Sequence, residues 1–148
     1  MEFIDIKSQQ FLIKDDLNKR IENVLSHGKY IMGPEIFELE ERLQEFTKAK
    51  HCVTVSSGTD ALLISLMAMG IKPGDEVITT PFTWVSTVEV IVLLGAIPVF
   101  ADVEQDTCNI NASKIKKLIN NKTKAIIPVS LFGQPADMDE INLLAENN

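Results

Sequence analysis

The sequence has 148 residues, of which 45% are hydrophobic and 24% are charged, and these proportions are typical of a globular domain with a buried core. Its formal net charge of −7 argues against nucleic acid or an anionic membrane as a main partner, because both require a basic surface. The longest apolar run, residues 90–94, is far too short to cross a bilayer.

The two cysteines, Cys52 and Cys108, show no paired spacing, so reduced thiols are expected. The first residues lack the basic start and continuous apolar core of a secretory signal. Together these features predict a cytoplasmic protein. His51 stands next to Cys52, but no second pair of metal ligands lies nearby, and we interpret the two as facing opposite sides of a buried strand.

Residues 1–30 are predicted to form an arm followed by a helix. The arm, residues 1–14, is expected to be irregular, with a short extended piece at 3–6. Acidic residues then precede an apolar stripe at helical spacing, and Gly28 is the expected C-cap of that helix. A second helix is predicted to begin at Pro34, because proline is favoured in the first turn.

From residue 51 onward, short apolar strands alternate with helices. The four predicted strands are residues 52–55, 76–80, 97–101 and 125–130. The four predicted helices are residues 59–69, residues 86–94, a helix capped by Asn111, and residues 138–146. This alternation predicts an α/β fold, a mostly parallel sheet with helices on both faces. Pro128 predicts an edge position or a break in pairing for the fourth strand.

The end of the sequence follows a predicted helix, where the alternation would next supply a strand. A parallel sheet of four strands would be small and partly uncovered. We therefore expect residues 1–148 to be the N-terminal portion of a longer protein.

The stretch from His51 to Leu62, H-C-V-T-V-S-S-G-T-D-A-L, is predicted to be a strand that turns into a helix. A helix start has unpaired amide N–H groups and the positive end of the helix dipole, and both suit a phosphate. The turn lacks the Gly-Lys-Ser/Thr ending of a Walker loop and the Gly-x-Gly-x-x-Gly of a dinucleotide fingerprint. From the pattern alone, an anion site and an ordinary helix cap by Ser57 or Thr59 are equal alternatives.

Trp84 is the only tryptophan, and it follows the carboxyl end of a predicted strand, the edge at which open α/β sheets bind ligands. Its planar side chain could stack on a flat ring. The alternative, which the pattern alone favours, is a tryptophan that packs under its own loop.

No catalytic group can be assigned from residue pattern. Asp102, Glu104 and Asp106 cluster after the third predicted strand, where acids usually form turns or face solvent. His27 has no candidate partners for a Ser–His–Asp arrangement. The lysines lie on predicted helix faces or in turns, and none has the apolar surroundings expected of a Schiff-base amine.

Four stretches, spread in order over nearly the whole chain, resemble the DegT/DnrJ/EryC1/StrS family of sugar aminotransferases, which are fold-type I pyridoxal-phosphate enzymes. They are Y-I-M-G-P-E at residues 30–35, S-S-G-T-D-A-L at 56–62, G-D-E-V-I-T-T-P-F-T-W-V-S-T at 74–87 and G-Q-P-A-D-M-D at 133–139. The resemblance implies that residues 1–148 are the N-terminal portion of the family's large domain.

The resemblance also implies a cofactor, pyridoxal 5′-phosphate. Gly58, Thr59 and Asp60 match the helix start that holds its phosphate, and Trp84 matches the aromatic ring that stacks on its pyridine. The Schiff-base lysine and the aspartate that pairs with the pyridine nitrogen are expected beyond Asn148. We therefore assign no catalytic residue to this chain, and expect it to be inactive alone.

The family chemistry implies transfer of an amino group from an amino acid, usually glutamate, to a nucleotide-linked keto-sugar. The parent protein is expected to be a homodimer, because family active sites are completed across a dimer interface. Two alternatives are open: a sugar dehydratase of the same family, which has histidine in place of the lysine, and a non-catalytic module that binds a phosphate ligand or assists assembly.

Overall fold

In a computed structural model, which describes residues 4–148, seven α-helices and one three-stranded parallel sheet are found. The helices are α1 (Ile6–Leu12), α2 (Lys14–His27), α3 (Pro34–Thr47), α4 (Gly58–Ala68), α5 (Ser86–Leu93), α6 (Ala112–Lys116) and α7 (Met138–Glu146). The strands are β1 (Glu76–Thr79), β2 (Ile97–Phe100) and β3 (Thr123–Ile127). Contacts divide the chain into two units, Met1–Thr54 and Val55–Asn148.

The first unit contains α1 to α3, and none of the residues in these helices is buried. The predicted C-cap is confirmed, since Gly28 has a left-handed φ of 66° and its amide donates to the Val24 carbonyl. Pro34 begins α3, also as predicted. A Cβ at Gly33, the residue before it, would lie 2.5 Å from the Lys29 carbonyl oxygen, so the motif requires glycine there.

The prediction of an irregular arm at residues 1–14 was wrong, because α1 occupies Ile6–Leu12 and α2 already begins at Lys14. The start of the predicted extended piece at 3–6 lies outside the described residues, and its last residue, Ile6, begins α1. The Asp5 carboxylate accepts from the amide and hydroxyl of Ser8, and this N-cap favours the helical turn.

The predicted strand at residues 52–55 is not formed in the described chain. The amide of Thr54 donates to Glu40 Oε1 at 2.8 Å, so it is not available for a strand ladder, and Val53 is 77% exposed. A strand needs a neighbour for its backbone groups, and a carboxylate takes that place at Thr54. The interpretation of His51 and Cys52 as two faces of a buried strand was therefore also wrong.

In the second unit, the predicted parallel α/β class is confirmed. The strand order is β2-β1-β3, and both pairings are parallel. The predicted strand at 125–130 is instead β3, which ends at Ile127, because Pro128 has no amide hydrogen to continue the ladder. As Pro128 predicts, β3 lies at an edge of this sheet.

Helices cover both faces of the sheet. Two fully buried neighbours on β1 point to opposite faces: Val77 joins a cluster with residues of α4 and α5, whereas Ile78 joins a cluster with residues of α6 and α7. The central strand therefore carries both cores, and its carboxyl end leads into the loop with Trp84. Among residues 4–148, the helices include none that is long and apolar enough to span a bilayer.

Candidate functional site

The turn before α4 is held by Ser57, which is the N-cap of this helix. Ser57 Oγ accepts from the Asp60 amide at 3.1 Å, and the Ala61 amide donates to the Ser57 carbonyl. Of the two caps that the sequence allows, the structure therefore selects Ser57 and leaves Thr59 for other contacts.

Two backbone donors remain at the start of α4. For the amides of Gly58 and Thr59, no acceptor is found in the part of the chain that the structure describes. An added Cβ at Gly58 would meet nothing within 4 Å, so the space beside the Gly58 Cα is open. Because α4 has 11 residues, the positive end of its dipole adds to these donors. The turn can therefore accept an anion without displacing another protein group.

Asp60 differs from its two neighbours. Its amide donates to Ser57 Oγ, and its carboxylate accepts a hydrogen bond from Ser56 Oγ. These bonds stabilise the turn from both sides. Of the three residues predicted to bind a phosphate, Gly58 and Thr59 are thus the two whose amides have no acceptor within residues 4–148.

The side chain of Thr59 connects the start of α4 with the start of α5. Thr59 Oγ1 donates to Ser86 Oγ at 3.0 Å, and Ser86, the first residue of α5, is only 8% exposed. The two helices share one apolar cluster, which includes Leu66 of α4 and Ile91 of α5. Packing of the helices therefore places their first turns side by side.

Trp84 lies in the loop between β1 and α5, two residues before Ser86. It is 73% exposed, so it does not pack under its loop as the alternative interpretation requires. Hydrogen bonds fix the loop at both ends: the Phe82 amide donates to Thr80 Oγ1, and the Thr87 amide donates to the Trp84 carbonyl. The indole is consequently presented to solvent from a well-bonded backbone.

Two residues near this edge escaped the sequence analysis. Ser86 is one, although a serine at a predicted helix start two residues after Trp84 could have indicated it. The other is Phe82, whose ring lies 6.2 Å from that of Phe132, centroid to centroid. Their contact joins the loops that follow β1 and β3, and the spacing of these residues in the sequence does not predict it.

Asp102 and His27, two further polar candidates, make local contacts within their own units. Asp102 Oδ1 accepts from the adjacent Val103 amide, which is a local turn contact. His27 bonds to Glu35 Oε1 through Nε2 and accepts from the Lys29 amide at Nδ1. Between residues 4 and 148, groups of three or more His, Cys, Asp or Glu side chains arranged to hold a metal are absent.

Comparison with known proteins adds a family and a set of relatives. The profile of the DegT/DnrJ/EryC1/StrS aminotransferase family matches residues 12–148. A UDP-2-acetamido-2-deoxy-3-oxo-D-glucuronate aminotransferase from Pseudomonas aeruginosa is 53% identical over 145 residues, which are 98% of this chain and 40% of the relative.

Solved structures agree with this likeness. A DegT DnrJ EryC1 StrS aminotransferase from Brucella abortus matches with a TM-score of 0.94 and 41% identity, over 99% of this chain and 41% of that one. NtdA from Bacillus subtilis, solved with bound cofactor PMP, matches with a TM-score of 0.87 and 34% identity, over 90% of this chain and 31% of that one. The chain thus spans 31–41% of the length of these three relatives.

Proposed function

Because the chain belongs to the DegT/DnrJ/EryC1/StrS aminotransferase family, we propose that the whole protein transfers an amino group from glutamate to a keto group of a nucleotide-linked sugar. The Pseudomonas aeruginosa relative is named for a substrate of this class, a UDP-linked 3-oxo sugar acid. The cofactor in this proposal is pyridoxal 5′-phosphate, in keeping with the PMP bound in NtdA.

The residues at the start of α4 fit the phosphate of this cofactor. A phosphate offers several acceptor oxygens, and the turn offers the amides of Gly58 and Thr59, next to the Thr59 hydroxyl that donates to Ser86 Oγ. Gly58 leaves open the space beside its Cα that a side chain would occupy. Asp60 holds the turn in place through Ser56 and Ser57.

Trp84 would cover one face of the cofactor ring. Its exposed indole stands two residues from Ser86, and Ser86 contacts Thr59 of the phosphate-binding turn. When bound, pyridoxal phosphate supplies an electron sink that lets an amino group move between two carbon skeletons. The chain's own contribution is to bind the phosphate and to orient the ring by stacking.

One observation carries the proposal: the Thr59–Ser86 hydrogen bond joins the turn before α4 to the start of α5, two residues after the exposed Trp84. A phosphorylated aromatic cofactor needs a phosphate-binding group and a stacking ring near each other, and this arrangement supports both. Helix starts with free amides are common, and so are exposed aromatic side chains. Their combination within one family profile is what favours this cofactor.

A labelling experiment with the full-length protein tests the proposed reaction. The protein is loaded with pyridoxal phosphate and incubated with a UDP-linked keto-sugar and glutamate that carries ¹⁵N in its amino group. We expect ¹⁵N to appear in the sugar, measured by mass spectrometry. A sugar that loses water without gaining nitrogen would instead identify the dehydratase of the same family, and binding of the cofactor with no sugar product would favour the non-catalytic module.

A further inference from the structure

Ser86 belongs to none of the residues assigned above to the cofactor. We propose that it is a positioning residue for the cofactor phosphate, and that it acts through the hydroxyl of Thr59. This inference rests on the proposed function, since it concerns how the same turn binds the phosphate.

The observed hydrogen bond has a direction that does not suit an anion. Thr59 Oγ1 donates its only proton to Ser86 Oγ, over 3.0 Å. The Thr59 oxygen therefore presents lone pairs, and not a proton, to the space in front of α4. A phosphate oxygen is an acceptor and requires a donor. For Thr59 to bind phosphate through its side chain, the hydrogen bond must reverse.

Ser86 has the chemistry to permit that reversal. A hydroxyl has one proton and two lone pairs, and its proton can rotate to suit the partner. When Ser86 donates to Thr59 Oγ1, the Thr59 proton is released to donate to the phosphate. Both oxygens keep their own protons, so the change is a rotation of two O–H bonds and no proton is transferred.

The surroundings of Ser86 favour this exchange. Ser86 is 92% buried, and Thr59 is the one hydrogen-bond partner of its hydroxyl within residues 4–148, so reversal breaks no other protein contact. A hydroxyl that accepts one hydrogen bond becomes a stronger donor for the next one. In a chain from Ser86 to Thr59 to phosphate, Ser86 therefore strengthens the bond at the ligand without touching it.

A purely structural role for Ser86, fastening α4 to α5, makes a different prediction. The helices already share an apolar cluster that includes Leu66, Val90 and Ile91, all of them buried. If Ser86 only fastened the helices, its loss would disturb the whole site and would weaken ligands with and without a phosphate alike. The two roles therefore separate when pyridoxal phosphate is compared with pyridoxal.

The experiment measures dissociation constants of both ligands for the protein and its variants Thr59→Val, Ser86→Ala and the double variant. Thr59→Val keeps the branched shape and removes the hydroxyl. We expect it to raise the dissociation constant of pyridoxal phosphate about tenfold or more, and Ser86→Ala to raise it roughly fivefold. Pyridoxal affinity should stay unchanged. The double variant should bind like Thr59→Val alone, because Ser86 acts only through Thr59.

Two further variants keep the result interpretable. Ser65→Ala removes another hydroxyl from α4, one that donates to the Ala61 carbonyl, and it should leave both affinities unchanged. Ser86→Cys has nearly the size of serine but a weak donor, so it should act like Ser86→Ala even if the alanine variant folds poorly. Thermal unfolding without ligand confirms that each variant is folded.

The outcomes distinguish this inference from the proposed function. If Thr59→Val leaves the affinity for pyridoxal phosphate unchanged, the phosphate site itself is wrong, and the role of Ser86 falls with it. If Thr59→Val weakens binding of pyridoxal phosphate and the Ser86 variants do not, the phosphate site is supported and the proposed role of Ser86, called the relay through Thr59, is overturned. The relay is also overturned if Ser86→Ala weakens both ligands equally, or if the two single effects multiply in the double variant.

Discussion

At the scale of single residues, Trp84 decides whether the candidate site is built for an aromatic ligand. An indole that is 73% exposed contributes little to the protein's own packing. One substitution at Trp84 can therefore separate its contribution to stability from its contribution to binding. We expect Trp84→Ala to lower the free energy of unfolding by less than about 1 kcal/mol. Its affinity for pyridoxal phosphate should fall about two- to tenfold, the range of an aromatic stacking contact, as measured by calorimetric titration.

A matched control is available in Phe46, an aromatic residue of α3 that is 85% exposed. Phe46→Ala also removes an exposed ring, but it is not among the proposed cofactor residues and should leave the affinity unchanged. Equal affinity of the Trp84→Ala variant and the unaltered protein would argue against stacking. A large loss of stability in the Trp84→Ala variant would instead indicate that Trp84 packs against the rest of the protein.

The sequence identified some residues of the site better than others. Gly58, Thr59 and Trp84 could be predicted from motifs, because a turn before a helix and an aromatic side chain after a strand are defined by residues that are adjacent in the sequence. Ser86 did not, because its importance depends on the packing of α4 beside α5, which sets its distance from Thr59. The choice between Ser57 and Thr59 as helix cap also needed the structure, since both residue types cap well.

At the scale of secondary-structure elements, the failed strand prediction at residues 52–55 shows the limit of local pattern. Helix stripes could be found because a helix satisfies its own backbone groups. A strand depends on a neighbour, and Thr54 instead gives its amide and its hydroxyl to the Glu40 carboxylate, both at 2.8 Å. This contact spans 14 residues, and nothing in the apolar alternation around Val53 reveals it.

The Glu40–Thr54 contact predicts a pH-dependent stability. The Thr54 amide, and then its hydroxyl, hold the pKa of Glu40 below its usual 4.5, because both donate to the charged carboxylate. Because the pKa of Glu40 is lower in the folded protein, its ionised carboxylate adds to the free energy of unfolding at a pH above the ordinary value of 4.5. This stabilisation is lost as the pH falls through the lowered pKa of the folded state. Relative to Glu40→Gln, the protein should thus be more stable at neutral pH, and this difference should shrink in acid. Denaturant unfolding of both proteins over a pH series measures it.

Glu41→Gln is the matched control, because Glu41 is the exposed neighbour of Glu40 on the same helix. It removes the same charge without removing the contact with Thr54, so the unfolding free energies of this variant and the protein should run nearly parallel across the pH series. The assignment would be wrong if Glu40→Gln behaved in the same way, or if its deficit grew as the pH fell.

At the scale of the whole molecule, the fold class could be predicted because alternation of strands and helices constrains the topology. Strands that are apolar on both faces must be covered on both sides, and parallel neighbours need helical crossovers. The strand order β2-β1-β3 could not be predicted from this alternation. It depends on which helix packs on which face, and therefore on the division of buried residues between the two clusters.

That division predicts how the second unit responds to a change in its centre. Ile78 is fully buried on β1 and packs toward α6 and α7, so Ile78→Ala should lower the free energy of unfolding by about 2–5 kcal/mol, measured by urea denaturation. Ile97→Ala on the edge strand β2, where the side chain is 46% exposed, should have less than half that effect. Similar losses from both variants would contradict the assignment of β1 as the centre of the core.

The same variant tests whether the two faces unfold together. Val77, the neighbour of Ile78 on β1, packs into the opposite cluster with α5, so disruption of this strand should reach both layers. In Ile78→Ala, amide hydrogen exchange should therefore become faster in α5 as well as in α7, by similar factors, because one strand supports both. Faster exchange confined to α7 would mean that the α4–α5 layer, which carries the proposed phosphate turn, keeps its structure independently of the other face.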